Sequence, residues 1–149
     1  MSNSPENPGY EVIWLVRRLF RALAATADSY LKDDELTAAD RAVMEFLYPE
    51  ERLSVPSIAN KYRVSRQHVQ VTVNRLRSIG LLRAETNPRH KRSQLIRLSE
   101  SGRETFREIR NNESLIIQKL FADLEPEDIE CTRQMLRSLL ARCESGELS

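Results

Sequence analysis

Cysteine, histidine and glycine are all scarce in this chain of 149 residues, and each scarcity closes off a class of function. Cys131 and Cys143, the only two cysteines, are too few for a disulfide framework. The two histidines, His68 and His90, stand in no Cys/His spacing that suggests zinc, so no metal site is expected. The four glycines, Gly9, Gly80, Gly102 and Gly146, are scattered and form no phosphate-cradling loop. No apolar run approaches the ~20 residues needed to cross a bilayer. The opening "MSNSPENPGYEV" lacks the basic-then-apolar layout of a signal peptide. These absences lead to the expectation of a soluble, cytoplasmic protein with no membrane partner. Paired carboxylates occur only on segments that read as solvated helix faces. No catalytic residue and no cofactor is expected, and the chain does not read as an enzyme.

Charge is abundant, and its placement is informative. The net charge is only +1. Residues 1–51 hold 5 Lys/Arg against 10 Asp/Glu, and residues 98–149 hold 7 against 11. Between them, residues 52–97 hold 11 Lys/Arg and one acid. A basic centre between acidic ends attracts dense phosphate, and nucleic acid is its usual owner.

The apolar pattern is mostly helical. Val12, Leu15, Val16, Leu19, Phe20, Leu23 and Ala27 recur at spacings of three and four, predicting a helix over about 10–31 after a flexible tail at 1–9. Thr37 caps a second helix, with Asp40 placed three residues on, and Pro49 ends it. Ser54 caps a short third helix with Pro56 in its first turn. Ser65 caps a fourth, which Gly80 closes. The period then changes. "LLRAET" and "SQLIRL" read as two strands joined by "NPRHKR". Ser99 caps a long helix to about Leu120, and Pro126 starts a last one to about Cys143. A short-turn helix pair followed by a hairpin with a cationic tip describes a winged helix-turn-helix.

Three stretches resemble the MarR (multiple antibiotic resistance regulator) family of bacterial transcription factors. "SIANKYRVSRQHVQVTVNRLRSIGLLR" resembles its helix-turn-helix, "NPRHKRSQLIRLSESG" its wing and the cap after it, and the flanking helices its dimerisation layout. The resemblance covers about residues 10–143. It implies a mainly α fold with a small β-hairpin wing: a winged helix-turn-helix domain over 36–98 and a helical dimerisation region over 10–35 and 99–145. It also implies a homodimer on a pseudo-palindromic operator in double-stranded DNA, and a small, often aromatic or anionic, effector.

The fourth helix divides into two faces. Val69, Val73 and Leu76 form a core stripe. Opposite lie Arg66, Gln67, Gln70, Val71, Asn74 and Arg77, with Ser65 at the cap. Gln and Asn pair bidentately with adenine in the major groove, making Gln67 and Gln70 the leading base readers and His68 a weaker one. Arg66 in the first turn can reach guanine or phosphate. Arg63, Arg75 and Arg77 read as phosphate clamps. Val71 stands where many family members carry a basic residue. It offers a methyl-packing surface for thymine and predicts an A·T-rich half-site.

In the wing, Pro88 restricts the turn and Arg89, His90, Lys91 and Arg92 follow it. Arg92 matches the family's wing arginine and Lys91 the basic residue before it. An arginine placed in a narrow minor groove gains from the negative potential there. His90 replaces the acid that commonly braces this wing in the family, so the wing is expected to hold its arginine less firmly. For an effector, Trp14, Arg17 and Arg18 of the first helix are the candidates, beside the aromatics Tyr10, Phe20, Tyr30, Phe46, Tyr48 and Tyr62, for which core packing is the alternative. Cys143 lies on the apolar seam of the last helix and reads as packing; Cys131 lies off it. The resulting reading is a homodimeric DNA-binding repressor. The alternatives are an activator or anti-silencer without ligand response, and a winged-helix scaffold that does not bind DNA.

Overall fold

The computed structural model describes residues 7–31 and 35–148, with residues 28–31 described by their backbone alone. The elements run α1 (Pro8–Leu31), α2 (Ala38–Leu47), β1 (Leu53–Ser54), α3 (Val55–Tyr62), α4 (Arg66–Ser78), β2 (Leu82–Glu85), β3 (Leu95–Leu98), α5 (Glu100–Phe121) and α6 (Pro126–Glu144). The expected tail over 1–6 and the side chain of Tyr30 lie outside the described residues. Helix α1 starts at Pro8, two residues before the expected start, so Pro8 and Gly9 belong to the helix and not to the expected flexible tail over 1–9. The Asn7 side-chain oxygen accepts from the Gly9 N–H at 3.0 Å and its carbonyl from the Tyr10 N–H at 3.0 Å, and Pro8 supplies a preset first-turn φ.

The chain forms two compact units, Met1–Asn111 and Asn112–Ser149. In the first, local chemistry fixes each helix end. Thr37 and Asp40 cap α2 reciprocally. Ser54 accepts from the Ser57 N–H to open α3, and Ser65 from the His68 N–H to open α4. Between these helices Arg63 takes a left-handed conformation at φ +57°, turning the chain sharply. Gly80 closes α4 at φ +83°, where an L side chain is disfavoured. Fully buried Val43, Met44, Leu47, Ile58, Val69, Val73, Leu76, Phe106 and Ile109 form the core, and Leu98 of β3 joins it.

The sheet has three strands, not the two of the expected hairpin. β2 and β3 pair antiparallel with Leu82 opposite Leu98 and Glu85 opposite Leu95. β1 adds to the other edge of β3, Leu53 opposite Ile96. Two residues are too short for an alternating pattern, so β1 had no periodic signal. Ser99 joins the sheet to α5. Its N–H donates to the Leu81 carbonyl at 3.0 Å, and its hydroxyl donates to the Gly80 carbonyl at 2.6 Å and accepts from the Gly102 N–H at 3.0 Å.

The second unit is the C-terminal part of α5 and the whole of α6. No described residue in it is buried. Cys131 and Cys143 are both exposed in the single chain. No described helix is long and apolar enough to cross a membrane.

Candidate nucleic-acid interface

Helix α4 separates its residues as its apolar spacing requires. Val69, Val73 and Leu76 are fully buried, and Thr72 beside them is buried with its hydroxyl donating to the His68 carbonyl at 3.2 Å. Arg66, Gln67, His68, Gln70, Val71, Asn74 and Arg77 are exposed, as is the cap Ser65. The Gln70 side-chain N–H donates to the Asn74 side-chain oxygen at 2.8 Å, so the two amides act as one unit along the helix face. The His68 ring lies beside Tyr62, centroids 6.4 Å apart, at the end of α4 nearest α3.

The wing tip is shaped by its own backbone. The Asn87 side-chain oxygen accepts from the Arg89 N–H at 3.0 Å, the His90 N–H donates to the Asn87 carbonyl, and the Ser93 N–H to the His90 carbonyl. Arg89, His90, Lys91 and Arg92 are all exposed, and no ion pair holds Arg92 among the described residues. At the wing's base Glu85 is the acid of the basic segment. It pairs with Arg97 on the adjacent strand and with Arg52 at 3.4 Å.

Helix and wing meet at one groove of about 660 Å³. Arg66, Gln67, Gln70 and Arg77 enter it from α4, Lys91 and Arg92 from the wing, with Val55 and Pro56 beneath. Among the described residues, four cations line it and no acid does. Arg89 points elsewhere: it lines a cleft of about 350 Å³ with Arg52, Ser54, Ser57, Asn87 and Pro88. His90 lines neither.

Arg75, expected as a phosphate clamp, does not line this groove. Arg75 forms an ion pair with Asp40, which is only 1% exposed, and donates to the Glu35 carbonyl at 3.5 Å. Its helical angle turns it toward α2 instead of the groove. The spacing that identified Asp40 as a cap gave no sign of this second partner.

The aromatic and cationic residues considered for an effector are dispersed. The Arg18 guanidinium lies over the Trp14 ring, 4.6 Å from its centroid, and both residues, with Arg17, are exposed on α1. Phe46 packs on Tyr62 and Tyr48 on Phe106, at 5.9 and 5.1 Å between centroids. None of these lines the two clefts above. No group of three or more metal-ligating side chains occurs among the described residues.

Comparison with solved structures places this architecture. The transcriptional regulator BldR of Sulfolobus solfataricus superposes with a TM-score of 0.83 at 18% identity, over 94% of this chain and 99% of that one. MepR of S. aureus, solved bound to DNA, superposes with a TM-score of 0.73 at 20% identity, over 87% and 96%. This chain has the fold of the MarR family of transcriptional regulators. BpsR of Bordetella bronchiseptica, whose DNA binding is regulated by 6-hydroxynicotinic acid, has a TM-score of 0.71 at 25% identity, over 87% and 98%. Other solved proteins that share the fold are also described as transcriptional regulators. By sequence, proteins of Mycobacterium bovis and Mycobacterium tuberculosis described only as uncharacterized are 32% identical over 91 residues, 61% of this chain. The matched stretch spans 64% of the length of those curated relatives. No family model matches the chain.

Proposed function

We propose that the chain is a homodimeric, sequence-specific DNA-binding transcriptional regulator that represses its target genes. The observation that carries this reading is the groove in which Arg66, Arg77, Lys91 and Arg92 converge around Gln67 and Gln70. Cations position a phosphate backbone, and the amides between them match base edges. In this reading α4 enters the major groove, with Ser65 and His68 at its leading end. The wing, with Arg89 and His90 at its tip, reaches the adjacent minor groove.

The dimer is proposed from what a single chain leaves uncovered. No described side chain of α1 is buried, and Trp14, Leu19, Phe20 and Leu23 are among its exposed apolar residues. The second unit leaves Leu115, Leu120, Leu136 and Leu140 exposed. Faces of this kind call for an apolar partner, and a second copy supplies one with the two-fold symmetry of a pseudo-palindromic operator. Half-sites then fall roughly 34 Å apart, one helical turn. We propose further that a small aromatic or anionic molecule modulates binding. The similarity to BpsR supports this, and Trp14, Arg17 and Arg18 are the candidate contacts.

Selection of binding sites from random duplexes, followed by anisotropy titration at several salt concentrations, tests the proposal. A two-fold symmetric consensus and a steep loss of affinity with salt are expected. A chain that binds no duplex at low salt is a winged-helix scaffold instead.

A further inference from the structure

We infer that Arg75 and Asp40 form a latch that sets the orientation of α4, so that Arg75 acts as a positioning residue and not as a phosphate contact. The inference rests on the reading of α4 as the recognition helix. Asp40 sits in the first turn of α2, and its carboxylate does three things. It accepts from the Thr37 N–H at 2.7 Å, accepts from the Thr37 hydroxyl at 2.9 Å, and pairs with Arg75. The Arg75 guanidinium also reaches the Glu35 carbonyl in the connection before α2. One side chain of α4 is therefore tied to the first turn of a neighbouring helix and to the segment that precedes it.

The remaining grip on α4 is apolar. Val69, Val73 and Leu76 pack without directional bonds, and such packing resists separation more than small rotation. The ion pair is directional, and its carboxylate is buried while the Arg75 side chain is partly exposed. If Arg75 moves out of hydrogen-bond reach, the Asp40 charge is left uncompensated where it is poorly solvated. The latch thus fixes the rotation that presents Gln67 and Gln70 to the groove. It also ties the position of α4 to the connection between α1 and α2.

The test is a double-mutant cycle of Asp40→Asn, Arg75→Gln and their combination, with wild type measured first. Anisotropy is read on the duplex recovered by binding-site selection and on a random duplex, at several salt concentrations and well below each melting temperature. A latch predicts that each single variant lowers the ratio of selected to random affinity about tenfold, and that the combination is no worse than either. The salt slope stays at the wild-type value, because no phosphate contact is lost. A phosphate clamp predicts that Arg75→Gln weakens both duplexes equally and flattens the slope by about 0.9, while Asp40→Asn binds as wild type. That result overturns the latch. If a single variant does not fold, the combined one, which leaves no charge buried alone, carries the comparison. Hydrogen exchange reads the same contact without DNA. Asp40→Asn should speed exchange of the amides of residues 69–75 on another helix. Unchanged exchange there removes the latch even if DNA binding stands, whereas a wild-type chain that binds neither duplex removes the DNA reading alone.

Discussion

At the scale of single residues, Arg92 and Gln70 line the same groove but are expected to fail differently. Arg92 is a charge on a wing tip with no acid to hold it among the described residues, and its proposed partner is phosphate or the negative potential of a narrow minor groove. Arg92→Ala should weaken binding to every duplex and flatten the salt dependence by about 0.9 in log–log slope. Titration across salt checks this, and wild-type affinity in the variant would remove the wing from the interface. Gln70 is held by Asn74, which reduces the rotamer freedom lost on binding and leaves its side-chain oxygen and second N–H for adenine. Val71 beside it is 63% exposed, an apolar surface matched to a thymine methyl. Gln70→Ala should relax preference at one base pair, by about 1–3 kcal/mol of discrimination, in an A·T-rich half-site. Binding-site selection with both chains reads this directly, and a G·C-rich consensus would contradict it. These residues were legible in the sequence because they lie opposite Val69, Val73 and Leu76 on one helix. Arg75 was not. Helical spacing gives a side chain its angle but not its partner, and the partner lies thirty-five positions earlier on α2.

At the scale of elements, helix ends were the most legible feature and short strands the least. Thr37, Ser54, Ser65 and Ser99 sit at the predicted starts because each hydroxyl meets a local N–H, a need written within three residues of sequence. β1 exists only because Leu53 and Ser54 meet an edge of β3 some forty residues later, which no local pattern encodes. Gly102 shows the same limit. By propensity, Gly102→Ala in α5 should stabilise the helix by about 0.5–1 kcal/mol. In place, the added Cβ would fall 2.0 Å from the Leu81 carbonyl oxygen, so α5 must shift against the start of the sheet. Overpacking of this kind costs about 1–3 kcal/mol and outweighs the propensity gain. A lowered urea midpoint for Gly102→Ala is expected. In α6, the Arg133 guanidinium, hydrogen-bonded to Glu130, and next the Gln134 amide lower the Glu130 carboxyl to about 2. A carboxyl lowered on folding contributes stability above its ordinary pKa, and that contribution fades as pH falls toward about 2. Being on the surface, the pair should shift thermal stability little. Carbon-detected NMR titration should find Glu130 still ionised at pH 3.5, and Arg133→Ala should raise it toward the ordinary range, with the Gln134 amide still holding it somewhat below.

At the scale of the whole molecule, the proposed dimer and the proposed affinity depend on each other. The first unit has its own core; α1 and the second unit bring apolar side chains that no described contact covers. If a second copy covers them, two groove-and-wing surfaces are carried on one body. Binding of the second half-site then becomes intramolecular, at an effective concentration in the millimolar range for closely linked sites. Loss of the dimer should therefore cost far more affinity for a two-half-site duplex than for one half-site. Leu19 on α1 and Leu140 on α6 are 57% and 58% exposed, so a charge at either can be solvated in the single chain. Leu19→Glu and Leu140→Glu should leave the circular dichroism of the fold in place while converting a sedimenting dimer to one of 17.3 kDa chains. Affinity for the full duplex should fall by about 10²–10⁴, with half-site affinity nearly unchanged. A wild-type chain that sediments as a monomer at micromolar concentration would remove the two-fold operator from the proposal. The charge argument for α4 and the wing would survive it, since the cations of the groove come from a single chain.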